Sequence, residues 1–149
     1  IARGVNVYSN AVLLGNAFYN MSHYGNARYF YESAVLGSGH YSPFSIDSVF
    51  MPLLTDNSIA RKYYSLALEK ATDNEQKAKC HYLLAKCDRN SWYNRNYYNN
   101  RENEYKYDDQ VYTDLITVFD GLSQYSQTKY YQEVLKECGY FRTYVKKKK

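Results

Sequence analysis

Stacked helix-turn-helix repeats of about 33–34 residues, an all-α arrangement, are predicted by three features of this sequence. Residues 13–35, LLGNAFYNMSHYGNARYFYESAV, place Leu14, Gly15 and Phe18 one helical turn apart, and beyond a short turn at Tyr24 place Ala27, Tyr31 and Ala34 at steps of four and three. That is the 3.6-residue period of helices with a buried face, broken once. Ala60, Tyr64 and Ala67 repeat the spacing of Ala27, Tyr31 and Ala34 at an offset of 33 residues. The periodic stretches are separated by helix-ending groups such as Gly37-Ser38-Gly39 and Thr55-Asp56-Asn57.

The units run over 6–39, 43–72, 73–105 and 108–139, with a capping turn and a Lys-rich tail at 140–149. In the first, helices are expected at 6–21 and 25–37, with Gly15 and Ala27 small where the helices approach and Phe18 and Tyr31 large where space must be filled. Pro43 suits the first turn of a helix at 44–54, which Pro52 weakens and which closes near Leu54. Thr55, Asp56 and Asn57 supply capping groups for a helix at 58–71. Thr72 with Glu75 reads as a capping box opening a helix to about Arg89, with Ala78, Leu84 and Ala85 on its buried side. The stretch SWYNRNYYNNRENEYKY that follows is dominated by Asn and charge and predicts a partly helical, exposed segment. Amphipathic spacing resumes from Asp108 with Val111, Leu115, Ile116 and Phe119, and Gly121 to Gln127 make a connection. Thr128, Tyr131, Val134 and Leu135 form a last helix, ending at Gly139 after Cys138.

The stretch 13–35 resembles the tetratricopeptide repeat (TPR), on Leu14, Gly15, Phe18, Ala27, Tyr31 and Ala34. It departs from that pattern where Ala11 replaces the first aromatic, Phe18 a Tyr, Tyr31 a Phe, and Gly39 stands near the expected Pro. The resemblance implies a short TPR-like α-solenoid and a concave groove, lined by first helices, that binds an extended or helical peptide. Carried over by position, the groove residues are Asn16, Tyr19 and Asn20 in the first unit and Lys79, Tyr82, Lys86 and Arg89 in the third. AKCHYLLAKCDRN, the Tyr-rich stretch and TKYYQEVLKECGYF are similar to the C-terminal region of large TPR-like proteins of the Gram-negative cell envelope. That resemblance implies part of a longer scaffold, periplasmic or associated with the outer membrane, a cytoplasmic location staying open. The chain begins at Ile1 with a helical pattern almost at once, so upstream sequence with a targeting signal and further repeats is expected.

At 149 residues the chain suits one domain that can bury about two-thirds of its unfolded surface. Its formal charge of +4 is carried entirely by Lys146 to Lys149, which reads as a solvated tail around a neutral fold, with polyanion docking as the other reading. No uninterrupted apolar run approaches the length of a membrane span. Cys80 and Cys87 lie about 10.5 Å apart along one helix, too far for a disulfide, so buried free thiols are expected, Cys138 making the third.

Little supports catalysis. His23, His40 and His81 occur in unrelated settings outside any HExxH-type motif, and Cys80 and His81 point to different helix faces, reading as a core thiol and a surface imidazole. No catalytic residue, metal site or cofactor is expected. Asp108 with Asp109, and Glu102 with Glu104, read as helix-start and surface charges. Most of the 20 tyrosines fill core or inter-repeat space. Trp92, Tyr93, Arg95, Tyr97, Tyr98 and Arg101 instead form a candidate second surface, in which bases or sugars could stack. The expectation is a non-catalytic scaffold for a protein or peptide partner, or for upstream repeats of its own chain. The alternative is polyanion, glycan or nucleic-acid binding through 92–101 and the Lys tail.

Overall fold

The computed structural model describes residues 5–26, 49, 51–95 and 117–148. Their regular structure is helical, with no strand among them: α1 Val7–Met21, α2 Met51–Thr55, α3 Ser58–Lys70, α4 Asn74–Tyr93, α5 Asp120–Ser123, α6 Lys129–Glu137 and α7 Gly139–Lys147. The all-α expectation holds for these residues. The expected helix at 25–37 with Ala27, Tyr31 and Ala34, the loop at Gly39 and Pro43, most of 44–54, and Val111, Leu115 and Ile116 lie outside them.

α1 buries Ala11, Val12, Gly15 and Tyr19, a single stripe at helical spacing. Its main partner among the described residues is α3, whose stripe of Ala60, Tyr64 and Ala67 is also buried. Gly15 is small for a steric reason: a Cβ there would collide with the ring of Tyr64. The Tyr64 hydroxyl then donates to Asn16 Oδ1 at 2.9 Å, and Phe18 stacks on Tyr63 with ring centroids 5.7 Å apart. Among the described residues, the helix that the 33-residue offset relates to 25–37 covers α1.

α2 ends at Thr55, one residue beyond the close expected near Leu54. Of the three expected capping residues, it is Asp56 that holds the start of the next helix. Asp56 accepts from Ser58 N and Ser58 Oγ, each at 2.7 Å. Asn57 occupies the N-cap position without capping; it is buried and donates to Thr55 O at 3.0 Å.

The expected capping box on Thr72 and Glu75 is displaced by one residue. Asp73 is the N-cap of α4 and accepts from Gln76 N at 2.8 Å, while Gln76 Oε1 receives Thr72 N at 2.9 Å. Released from that task, Glu75 caps a different helix, its two oxygens receiving the Lys129 and Tyr130 N–H groups at 2.7 and 2.9 Å. These are orphan donors of the first turn of α6, which Thr128 also caps by accepting from Tyr131 N.

α4 is the axis of the packing. Cys80, Leu83 and Cys87 join α1 and α3 in one cluster, with Leu84 packed against it. Ala78 and Ala85 face roughly the opposite way, into a second cluster with Phe119, Leu122, Tyr131, Val134, Phe141 and Tyr144. The single buried side expected from Ala78, Leu84 and Ala85 is thus two sides, because Leu84 belongs to one cluster and the alanines to the other. The second cluster is aromatic: Phe141 meets Tyr131 edge-to-face and stacks on Tyr144, with centroids 5.0 and 5.8 Å apart.

Two further expectations change at the C-terminal side. Gly121 lies in the short helix α5, not in a plain connection, and a Cβ on it would collide with the His81 ring. Gly139 opens a helix instead of closing one, and the capping turn expected at 140–149 is α7, which buries Phe141 and Tyr144. Lys148 is not a free tail residue, since its Nζ pairs with Asp120 Oδ1 at 2.7 Å.

Candidate groove on helix α4

A third stripe of α4 runs between its two buried faces. Lys79, Tyr82, Lys86 and Arg89 recur there at steps of three and four and are all partly exposed. Tyr19 of α1 borders the stripe on one side, and Tyr130 of α6 and Tyr140 of α7 border it on the other.

Lys86 places its ammonium 4.1 Å from the centre of the Tyr19 ring. Tyr19 itself is buried, and its hydroxyl receives Asn90 Nδ2 at 3.1 Å. It is therefore a groove wall and not the open contact residue that its position in the repeat pattern implies. The partner that buries it lies 71 residues along the chain, on a helix whose position a local period does not reveal. Asn16 is turned toward α3, where it holds the Tyr64 hydroxyl. Asn20 is exposed.

On the far side, Tyr82 meets Tyr130 edge-to-face with centroids 6.1 Å apart. Burial pushes the Tyr82 hydroxyl up to about 12, helped by neighbouring Cys138. Burial likewise raises Tyr130, with Tyr82 adding to the effect. Arg89 lays its guanidinium over Tyr140 at 4.6 Å from the ring centre, and its Nε is buried without an acceptor among the described residues. The Lys86 ammonium is pulled below its ordinary value, first by burial and then by repulsion from Arg89.

Part of the second candidate surface adjoins this groove. Trp92 meets Tyr93 edge-to-face at 5.4 Å, and the Tyr93 and Tyr140 hydroxyls stand 3.4 Å apart. Arg95 is exposed; Tyr97, Tyr98 and Arg101 lie outside the described residues. Tyr140 was not foreseen as a site residue. Its signal in the sequence is faint: an aromatic on the last helix that is 39% exposed while Phe141 beside it is fully buried.

The described histidines and cysteines occupy separate settings in the packing. His23 is buried. His81 is half-buried, stacked on Tyr125 at 5.3 Å, on the opposite side of α4 from the Cys80 cluster. His40 lies outside the described residues. Cys80 and Cys87 are buried free thiols, as expected, and Cys138 is free and partly exposed. Burial pushes the thiols up, to about 11 for Cys80 and about 12 for Cys87. Among the described residues no three of His, Cys, Asp and Glu come together as a metal site, and no helix is long and apolar enough to cross a membrane. Comparison of the chain with protein-family models, curated proteins and solved structures finds no match.

Proposed function

We propose that this chain is a non-catalytic scaffold of TPR-like helical repeats that holds a segment of a protein partner in the groove floored by α4. The observation that carries the reading is the double burial of α4, which fixes the helix from both sides and leaves the Lys79–Tyr82–Lys86–Arg89 stripe open between two aromatic walls. A rigid floor with exposed polar side chains and aromatic anchors is suited to recognition of an extended or helical segment.

The repeat reading draws support from the order of packing. α1, α3 and α4 form successive layers, the sequence of first helix, second helix and next first helix in a stacked array. In this version α3 takes the role beside Gly15 for which the sequence pattern first suggests 25–37. A catalytic reading has less to draw on: a nucleophilic thiol requires a lowered pKa, and Cys80 and Cys87 are shifted the other way.

The test is affinity capture from cell lysate with the intact chain and with a Lys79→Glu, Lys86→Glu, Arg89→Glu variant of unchanged helicity. A partner retained by the first, lost by the second and crosslinking to α4 is the expected result. Equal capture by both would overturn the groove. Binding of heparin or glycans that persists in the variant would favour the surface around Trp92 and Tyr93.

A further inference from the structure

We propose that Lys86 and Arg89 form a binding site for a single oxyanion, a carboxylate or phosphate group entering the groove between Tyr19 and Tyr140. The proposal deepens the scaffold reading and rests on it only for the source of the oxyanion.

Four observations lead to it. The two cations stand one turn apart on the same face of α4, where they repel each other across a partly desolvated space. Among the described residues each rests on an aromatic ring and pairs with no carboxylate, Lys86 on Tyr19 and Arg89 on Tyr140. The two carboxylates of α4 itself are committed elsewhere: Asp88 turns to α3 and pairs with Arg61 at 2.7 Å, and Glu75 caps α6. Arg89 Nε is a buried donor with no acceptor among the described residues.

Among the described residues the guanidinium Nε–H is buried without an acceptor and the neighbouring ammonium has no carboxylate, an unfavourable pairing in the unliganded protein. An oxyanion relieves both defects at once. It neutralises the pair, and a small rotation of the guanidinium over the Tyr140 ring brings Nε and a terminal N–H onto two oxygens in the forked geometry that suits arginine. The rings that hold the two side chains limit the freedom lost on binding. Lys86 contributes charge, and Arg89 contributes charge and orientation.

The probe is inorganic phosphate, added to the full chain at constant ionic strength, with the backbone amide resonances of Lys86 to Asn90 followed by NMR in every variant and the Arg89 Nε–H followed where Arg89 is present. The expected result is a saturable shift of these resonances, lost from the amides in Arg89→Gln and weakened at least tenfold in Lys86→Gln. Arg89→Lys keeps the charge without the fork and should lose most of the affinity while leaving helicity and melting unchanged. A second arm replaces phosphate with a Glu-rich peptide and with a Lys-rich control. Saturation by phosphate and by the Glu-rich peptide places the oxyanion on an acidic partner. Saturation by phosphate alone keeps the site but removes support from the scaffold reading. A shift of the α4 amides that does not saturate, or that survives in the Lys86→Gln, Arg89→Gln double variant, would overturn the site.

Discussion

Single atoms decide several of the contacts described above. Gly15 lies against the Tyr64 ring with no room for a methyl group. Gly15→Ala should therefore destabilise the fold by about 1–3 kcal/mol through overpacking, despite alanine's better helix propensity. Urea denaturation measures this, and an unchanged or raised midpoint would show that α1 and α3 separate at no cost. Asn90 is buried and holds the Tyr19 hydroxyl. Asn90→Ala leaves that hydroxyl without its partner and should cost about 1–3 kcal/mol by the same measurement. His81 makes a pH prediction. Burial against Tyr125 and Gly121 depresses its pKa below the ordinary 6.5, so the unfolded chain takes up the proton first as pH falls. Stability contributed by the neutral ring is complete above pH 6.5 and is lost as pH falls from there through the depressed folded value. His81→Gln should flatten the part of the stability profile between pH 7 and 5 that this residue supplies; identical profiles for the two proteins would refute the assignment.

At the scale of elements, what was legible from the sequence was which stretches are helical and which faces are apolar; what covers each face was not. The limits of α1 and α3 follow from local period and from the residues that end them. The partner of α1 does not, because a stripe of Ala11, Gly15 and Tyr19 would pack equally against any helix with complementary small and large residues. α4 was harder for a related reason. Its apolar residues occupy two opposed faces, so a single-face reading merged Ala78 and Ala85 with Leu84. The α4 groove was half legible: Lys79, Tyr82, Lys86 and Arg89 share a stripe at the expected spacing, but Tyr19 is buried by Asn90 and Tyr140 arrives from a distant helix. Glu75 shows how a correct motif can be shifted: the capping box opens α4 through Asp73 and Gln76, which frees Glu75 to join α4 to α6. Glu75→Gln keeps the shape of that cap but removes its charge, and Glu75→Ala removes both. The Ala variant should lose about 1 kcal/mol, with faster amide exchange confined at first to Lys129 and Tyr130. Uniform acceleration across all helices would argue against a local cap.

For the molecule as a whole, the question is whether the two clusters fold as one. They share α4, which gives Cys80, Leu83 and Cys87 to one and Ala78 and Ala85 to the other. Polar links repeat the connection: Asn90 joins α4 to α1, Arg61 pairs with Asp88 between α3 and α4, and Glu75 ties α4 to α6. The exposed Arg61–Asp88 pair adds little on its own, so the coupling must come from packing on a common helix. If α4 loses its second cluster, half of its buried surface is uncovered, and a helix with one bare apolar face is poorly held by the remaining partner. Phe141 tests this, because it is fully buried, touches Phe119, Tyr131 and Tyr144, and is remote in sequence from α1. Phe141→Ala should cost about 3–5 kcal/mol. Two-state coupling predicts that the loss appears equally in the exchange protection of α1 and of α7, and in one transition seen alike by helicity and by the fluorescence of Trp92, the single tryptophan. Protection of α1 that stays at its original level while α6 and α7 open would separate the halves, and the groove floor would then be held from the α1–α3 side alone.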